Sequence, residues 1–260
     1  MRGSFFDRAR ARGGAAIAAG MALAAVCGLA APAAADISPI VLHIRATNSQ
    51  GTDTWMARID AGQFGPDGTY QWVLGAPVEL RDDNGTLVGM LTQGSTTIIE
   101  DPVVSLSFSV TAGAVDTTFQ ITSALLSFPA MTGSEGRASG QIGATDLGGD
   151  GVTLTGQFGG HMLTTRYNGL VPGGTTFADL FAGPLASAEA FGSVSILEES
   201  PATGFTPIPG TVTDISMQYF FTLSAGDTAS GTATFVVLPA PGAAAVLGLA
   251  GVAGTRRRRQ

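Results

Sequence analysis

The stretch Val104-Ser-Leu-Ser-Phe-Ser-Val-Thr111 alternates one apolar side chain with one hydroxyl side chain along its whole length. Successive side chains of a β-strand point to opposite faces of a sheet, whereas a half-buried helix needs a period near 3.6. The stretch therefore predicts a strand whose Val, Leu and Phe side chains are buried and whose Ser and Thr side chains face outwards. The chain is also rich in Gly, with 37 residues, and contains no Lys, which favours strands and tight turns over helices.

Two further pairs of alternating runs indicate antiparallel hairpins. The run Ile215–Leu223 and the run Ala229–Val237 each place apolar residues at every second position, and Ser224–Thr228 forms the predicted turn between them. Asn84-Gly85 separates two shorter runs, and both of these residues tolerate the positive φ that a tight hairpin turn requires.

The remaining pattern is also dominated by strands. One short helix is predicted over Phe177–Ala182, with Thr176 as its N-cap and Gly183-Pro184 as its end. Short strands joined by Gly, Asn and Asp turns are typical of a β-sandwich and less typical of a barrel. We therefore expect an all-β chain with a single antiparallel β-sandwich at residues 36–238, compatible with a jelly-roll arrangement. The other strands are predicted at residues 39–46, 54–60, 69–74, 78–82, 86–92, 117–128, 161–167 and 193–199.

The N-terminus has the pattern of a secretory signal peptide. A basic segment with four Arg residues precedes the apolar run Ala15–Ala31, and small residues at Ala33 and Ala35 fit a cleavage site before Asp36. We expect residues 1–35 to form a signal helix that directs export. The alternative is an N-terminal anchor that is not removed, and the small residues after Pro32 argue against it.

The C-terminus, residues 239–260, combines a proline motif, an apolar run and a basic cluster. Pro239-Ala240-Pro241-Gly242 resists helix formation, so a hydrophobic helix can begin only after it. The Ala-, Leu- and Gly-rich run that follows is borderline in length for a transmembrane helix. The basic residues are expected to stay in the cytoplasm; they are Arg256, Arg257, Arg258 and Arg259.

This C-terminal arrangement resembles the PEP-CTERM sorting tail of bacterial surface proteins. The resemblance covers about two dozen residues, and Ala240 stands where that family usually has Glu, as in a Pro-Ala-Pro-Gly variant. It implies that an exosortase-like membrane peptidase recognises Pro239–Gly242 and removes the tail, and that the protein belongs to a setting of extracellular polysaccharide. The alternative is a simple C-terminal membrane anchor that is never cut.

The charge of the central domain excludes some classes of partner. Five Arg and 19 acidic residues lie between the two terminal segments, which gives a net charge of about −14. Such a domain repels nucleic acid and anionic lipid. Cys27 is the single cysteine and lies in the predicted signal peptide, so disulfides and thiol catalysis are excluded for the exported domain.

Two acidic turns are candidate calcium sites. Asp82, Asp83 and Asn84 supply oxygen atoms in one turn, and Asp146 and Asp150 supply them in another. Neither turn has the spacing of an EF-hand or of a glycine-rich calcium repeat. We therefore interpret both as ordinary turn chemistry and expect weak or absent calcium dependence and no cofactor.

The aromatic residues have two interpretations. Tyr70 and Trp72, with Trp55, would suit a platform on which sugars stack. The first two share a strand face with Leu74, and that favours a place in the hydrophobic core.

No catalytic signature stands out. His43 and His161 are the only histidines, and Glu198 and Glu199 are adjacent on a strand, so they should point to opposite faces. We therefore expect a non-enzymatic structural or interaction protein of the cell surface or extracellular matrix, anchored in the membrane by the C-terminal helix before processing. The alternatives are a carbohydrate-binding β-sandwich module and a secreted hydrolase.

Overall fold

The computed structural model describes residues 35–239, which form two antiparallel β-sheets packed face to face. The predicted signal peptide (residues 1–35) and the predicted C-terminal tail with its hydrophobic helix (residues 239–260) lie outside the described residues, apart from Ala35 and Pro239. In chain order the strands are β1 (Asp36–Ile37), β2 (Ile40–Thr47), β3 (Thr52–Arg58), β4 (Gln63–Phe64), β5 (Tyr70–Val73), β6 (Val78–Arg81), β7 (Leu87–Ile99), β8 (Val103–Ala112), β9 (Thr117–Ser123), β10 (Leu126–Thr132), β11 (Ser134–Thr145), β12 (Val152–Gly156), β13 (His161–Tyr167), β14 (Thr175–Ala182), β15 (Leu185–Ser187), β16 (Ser193–Ser200), β17 (Thr206–Pro207), β18 (Thr211–Leu223) and β19 (Thr228–Pro239).

Each sheet has one central path of strands. The first sheet has ten strands in the order β1-β10-β18-β9-β2-β3, and the pairs β12-β15 and β13-β14 continue it on the other side of β18. The second sheet has nine strands in the order β16-β11-β19-β8-β7-β5-β4, with β17 added to β11 and β6 added to β7. The expected all-β class and the β-sandwich are confirmed. Among residues 35–239 there is no helix long and apolar enough to cross a membrane.

The core lies between the sheets and is built from the alternating runs. The residues Val104, Leu106, Phe108 and Val110 of β8 are at most 3% exposed, as the period-two pattern predicts. The ring of Phe108 lies edge-on against the ring of Tyr219 from the opposite sheet, with 4.8 Å between centroids. A Cβ at Gly231 would come within 2.7 Å of the Phe108 ring, so this crowded contact requires glycine there.

The predicted hairpin of residues 215–237 is wrong in its pairing. Both runs are strands, but β18 belongs to the first sheet and β19 to the second. The turn between them crosses from one sheet to the other, beside a second crossing turn after β8, where the N–H of Gly226 donates to the carbonyl of Gly113 over 2.8 Å. The two apolar faces therefore face each other across the core, and alternation alone cannot distinguish this arrangement from a hairpin.

The predicted helix Phe177–Ala182 is also wrong. These residues belong to β14, which pairs with β13 and has a register shift next to Thr165. Phe177 stacks on Phe235 and Phe181 stacks on Tyr219, so the sheet places both rings against the core. A Thr before the segment and a Gly-Pro after it end a strand as readily as they bound a helix, and here long-range pairing outweighs the local preference. The hairpin around Asn84-Gly85 is confirmed, since β6 pairs antiparallel with β7.

The last strand extends slightly further than expected. It includes Pro239, which lies opposite Ser134 of β11, whereas the sandwich was expected to end at residue 238. Proline has no N–H to donate, and a strand end is one of the positions where this is tolerated. The first proline of the predicted sorting motif therefore borders the folded sandwich directly.

Candidate functional site

The outer face of the second sheet carries many uncharged polar side chains. Alternation that buries the apolar residues of β8 turns its Ser and Thr residues outwards, and the register brings similar residues of the neighbouring strands beside them. We call this surface the hydroxyl face; it consists of Gln71, Gln93, Ser95, Thr97, Ser105, Ser107, Ser109, Thr111, Ser139, Gln141, Thr145, Ser193, Ser195, Thr228, Ser230, Thr232 and Thr234.

One row of this face crosses seven strands. Neighbouring strands lie about 4.8 Å apart, so the row presents one polar group at each such interval. From β4 to β16 the register aligns Gln63, Gln71, Thr97, Ser105, Thr234, Ser139 and Glu199.

Cross-strand hydrogen bonds order the hydroxyl groups. The Oγ atoms of Ser95 and Ser107 are 2.8 Å apart, and Ser105 Oγ lies 2.9 Å from Thr234 Oγ1. Each hydroxyl combines one donor with two acceptor lone pairs, so a bonded pair keeps further hydrogen-bonding capacity towards the outside. The face therefore offers a fixed array of donors and acceptors.

Charged groups lie at the margins of the hydroxyl face. Arg137 Nη2 forms an ion pair of 2.7 Å with Glu199 Oε2 near one end, and Arg81 Nε forms one of 2.8 Å with Glu79 Oε2 on β6. The outward positions of β8 from Ser105 to Thr111, and those of β19 from Thr228 to Thr234, carry no ionisable side chain in the described structure. The centre of the face is neutral although the domain as a whole is strongly acidic.

A shallow groove of about 430 Å³ runs across this neutral centre. Its lining includes Gln93, Ser107, Gln141, Ser230 and Thr232. Gly143 also lines it and packs closely against β16, since a Cβ at Gly143 would come within 3.0 Å of Ser195 Cβ. Hydroxyl and amide groups thus surround the groove. The motifs of the sequence did not point to this groove, because its residues come from five strands that are spread along the chain.

The predicted core position of the aromatic pair is confirmed. Tyr70 is fully buried and Trp72 is 5% exposed, while Trp55 is half-buried with its ring 5.9 Å from that of Trp72. These rings therefore do not form an open stacking platform. Phe64 is 61% exposed and borders a second depression, of about 590 Å³, that Gln71 also lines.

The turn at Asp82 is organised by its own hydrogen bonds. Asp82 Oδ1 accepts from the backbone N–H groups of Asn84 at 2.9 Å and Thr86 at 2.7 Å, and Gly85 has a φ of 80°. The hydrogen bond from Thr86, the largest influence, lowers the pKa of Asp82. Asp83 takes no part in the hydrogen bonds described for this turn.

The second predicted acidic pair gains a third member. Carboxylate oxygens of Asp146, Asp150 and Asp227 lie within 4.8 Å of one another. Asp227 was missed because it lies far along the chain from Asp150, in the crossing turn between β18 and β19. Such oxygens are ligands that calcium accepts, but calcium takes about six to eight of them.

Backbone N–H groups and the hydroxyl of Ser224 already donate hydrogen bonds to the two buried carboxylates of this cluster. Asp146 accepts from the N–H groups of Gly148, Gly149, Gly151 and Phe191 at 2.8–3.0 Å. Asp227 accepts from the N–H of Leu147 at 3.1 Å and from the hydroxyl of Ser224. Both carboxylates are therefore buried because these hydrogen bonds hold the surrounding loops in place.

The residues considered for catalysis are dispersed. Glu198 and Glu199 point to opposite faces, as predicted, since Glu198 accepts from the N–H of Phe181 and Glu199 pairs with Arg137. His43 lies on the outer face of the first sheet, where desolvation, followed by the charge of Arg45, lowers its pKa. His161 lines neither of the two depressions described above.

No protein-family model matches the chain, and no curated protein matches it at a significant level.

Proposed function

We propose that this chain is an exported, non-enzymatic protein of the bacterial cell surface whose hydroxyl face contacts extracellular polysaccharide. In this proposal the signal peptide is removed after Ala35, the C-terminal helix holds the protein in the membrane, and an exosortase-like peptidase removes the tail at Pro239–Gly242. The product is a β-sandwich that is released to the surface or the extracellular matrix.

The hydroxyl face carries the binding part of this proposal. Sugar hydroxyls are recognised by groups that donate and accept hydrogen bonds at fixed positions, and the paired Ser and Thr residues of β8 and β19 supply both. General acid–base catalysis needs a titratable group at the reacting atoms, and the centre of the described face holds none. Binding without turnover is therefore the activity that this surface supports best.

The net charge of the domain restricts the class of polysaccharide that it can bind. The domain has a net charge of about −14, which repels polyanions such as polyuronates over distances up to the Debye length. The centre of the hydroxyl face adds no positive charge that would offset this repulsion. A neutral glycan is the partner that fits both properties.

Two carboxylates placed in the groove should weaken binding of a neutral glycan. Ser107 and Thr232 are cross-strand neighbours that line it, and we expect Ser107→Glu with Thr232→Glu to weaken binding to a neutral glucan at least tenfold, about 1.4 kcal/mol. Affinity electrophoresis in gels containing a neutral glucan, a polyuronate or the polysaccharide extracted from the native host measures this. The matched control is Thr118→Glu with Thr222→Glu, a hydrogen-bonded Thr pair on the outer face of the first sheet. Equal loss in both double variants, or no retardation of the parent protein in any gel, would contradict the proposal.

Removal of the tail should be visible in the mass of the protein. We expect protein isolated from the native host to lack Arg256–Arg259, because the last strand ends at Pro239 and Pro241 disfavours a helix just beyond it, so that a peptidase can reach the backbone there. Intact-mass measurement decides this, with a variant that has Gln at all four arginines as the comparison. A mass that ends at Gln260 would leave a simple membrane anchor in place of a sorting tail.

A further inference from the structure

Strand β16 forms one edge of the second sheet. It pairs with β11 along all eight of its residues, from Ser193 opposite Thr145 to Ser200 opposite Ala138. In residues 35–239 no backbone hydrogen bond reaches its other edge. An edge of this kind presents a row of donors and acceptors that can pair with a further strand.

Three other edge strands of the sandwich, β3, β4 and β14, are short or covered. Along β3, Asp53 Oδ2 accepts from the N–H of Arg81 on β6 at 2.8 Å, which places another strand against this edge. Strand β4 has two residues, so it offers almost no edge. On β14, the N–H of Phe181 donates to Glu198 Oε2, and the pairing with β13 has a register shift. Short strands, irregular pairing and covering groups are the usual protections of an edge.

The first five residues of β16 pair with β11 without a register shift, and no other described strand pairs with them, although β14 and β15 lie close to β16. Ser193-Val-Ser-Ile-Leu197 contains no charge and no proline, and Val194 and Ile196 are β-branched, which favours an extended strand. Leu197 is 67% exposed on the side of the hydroxyl face. The acidic residues of the strand come only at its end, at Glu198 and Glu199.

We propose that β16 pairs antiparallel with β16 of a second copy of this chain, with Ser195 opposite Ser195 about a twofold axis. In this register, odd-numbered residues lie opposite odd-numbered residues, and even-numbered residues lie opposite even-numbered residues. Residues that face the core in one copy are therefore beside residues that face the core in the other. This register sets Val194 opposite Ile196 and Ser193 opposite Leu197, and leaves Glu198 and Glu199 outside the paired segment, so that no acidic residues oppose each other. A twofold axis is the commonest symmetry of homo-oligomers.

The pairing joins two hydroxyl faces into one surface. Ser193 and Ser195 line the groove, so the two grooves lie next to the axis and a polymer can contact both copies. Repulsion between two domains of about −14 each opposes association. The dimer should therefore be weaker at low salt than at high salt, where this repulsion is screened.

Cysteine crosslinking tests both the association and its register. The described domain contains no cysteine, so Ser195→Cys introduces a single thiol. In the proposed register the Cα atoms of position 195 in the two copies lie about 4.5–5.5 Å apart, within disulfide range. Leu197→Cys is the matched control, because two copies of position 197 are separated by about four residues along the strand, roughly 13 Å.

We expect the Ser195→Cys protein, isolated from its native host and mildly oxidised, to form a covalent dimer at least ten times faster than the Leu197→Cys protein. Sedimentation velocity of the parent protein should show more dimer at about 500 mM salt than at about 50 mM, because the Debye length falls from roughly 14 Å to roughly 4 Å between them. Parent protein that stays monomeric at all concentrations would overturn the proposal. Equal crosslinking of the two cysteine variants would overturn the register.

Discussion

Replacement of Tyr219 by alanine is expected to lower the free energy of unfolding by about 3–5 kcal/mol. Tyr219 is fully buried at the centre of the sandwich, with its ring 4.8 Å from Phe108 and 6.2 Å from Phe181. Its hydroxyl donates to the carbonyl of Thr232 at 2.6 Å and lies 3.2 Å from the carbonyl of Gln141. One side chain of the first sheet is thus bonded to two neighbouring strands of the second, and chemical denaturation at neutral pH measures what its loss costs.

The variant Tyr219→Phe separates packing from hydrogen bonding. It keeps the ring and removes the hydroxyl, so we expect a loss of about 1–2 kcal/mol. A Tyr219→Phe protein that is as unstable as Tyr219→Ala would mean that the hydrogen bonds, and not the aromatic packing, hold the sheets together. A stable Tyr219→Ala protein would contradict the packing of this core.

Replacement of Asp146 by asparagine is the second change for which we expect a large effect. Asp146 is buried and accepts four backbone N–H groups, two on each oxygen. Asparagine turns one of these acceptors into a donor, so two N–H groups lose their partner and face another donor. We expect the melting temperature to fall by roughly 5–10 °C at pH 7.

The same substitution should also make the stability of the domain decrease less as the pH falls into the acid range. Desolvation raises the pKa of Asp146, but the backbone N–H groups together outweigh it and hold the pKa below its ordinary value of 3.8. Since the unfolded chain takes up the proton first, the stability that this carboxylate contributes is present above pH 3.8 and is lost as the pH falls through the lower, folded pKa. Melting curves from neutral pH down to strongly acidic pH should therefore converge for parent and Asp146→Asn. The variant Asp82→Asn, in a more exposed turn, should change both properties less, and parallel curves for Asp146→Asn would contradict the assignment.

The placement of side chains inside or outside could be read from the sequence. Alternation of apolar and hydroxyl residues from Val104 to Thr111 depends only on the geometry of an extended backbone, and the buried face of β8 follows it. The turn at Asn84-Gly85 was equally predictable, because positive φ at Gly85 is a local requirement. The same local reasoning failed for Phe177–Ala182, where pairing with β13 and contact with Phe235 decided between strand and helix.

The sequence by itself determined the all-β class, the inward faces of the strands and the acidic character of the domain, and its terminal patterns are the whole basis for expecting export and sorting. The tertiary structure decided which sheet each strand joined. It separated β18 from β19, brought Asp227 to Asp146, and aligned hydroxyls from β7, β8, β19 and β11 into one neutral face. The reason is physical: a period of two in the sequence shows which residues are buried, and burial is decided at each residue separately. Strand partners are set by hydrogen bonds and packing between segments far apart in the chain, and many pairings are compatible with one alternating pattern.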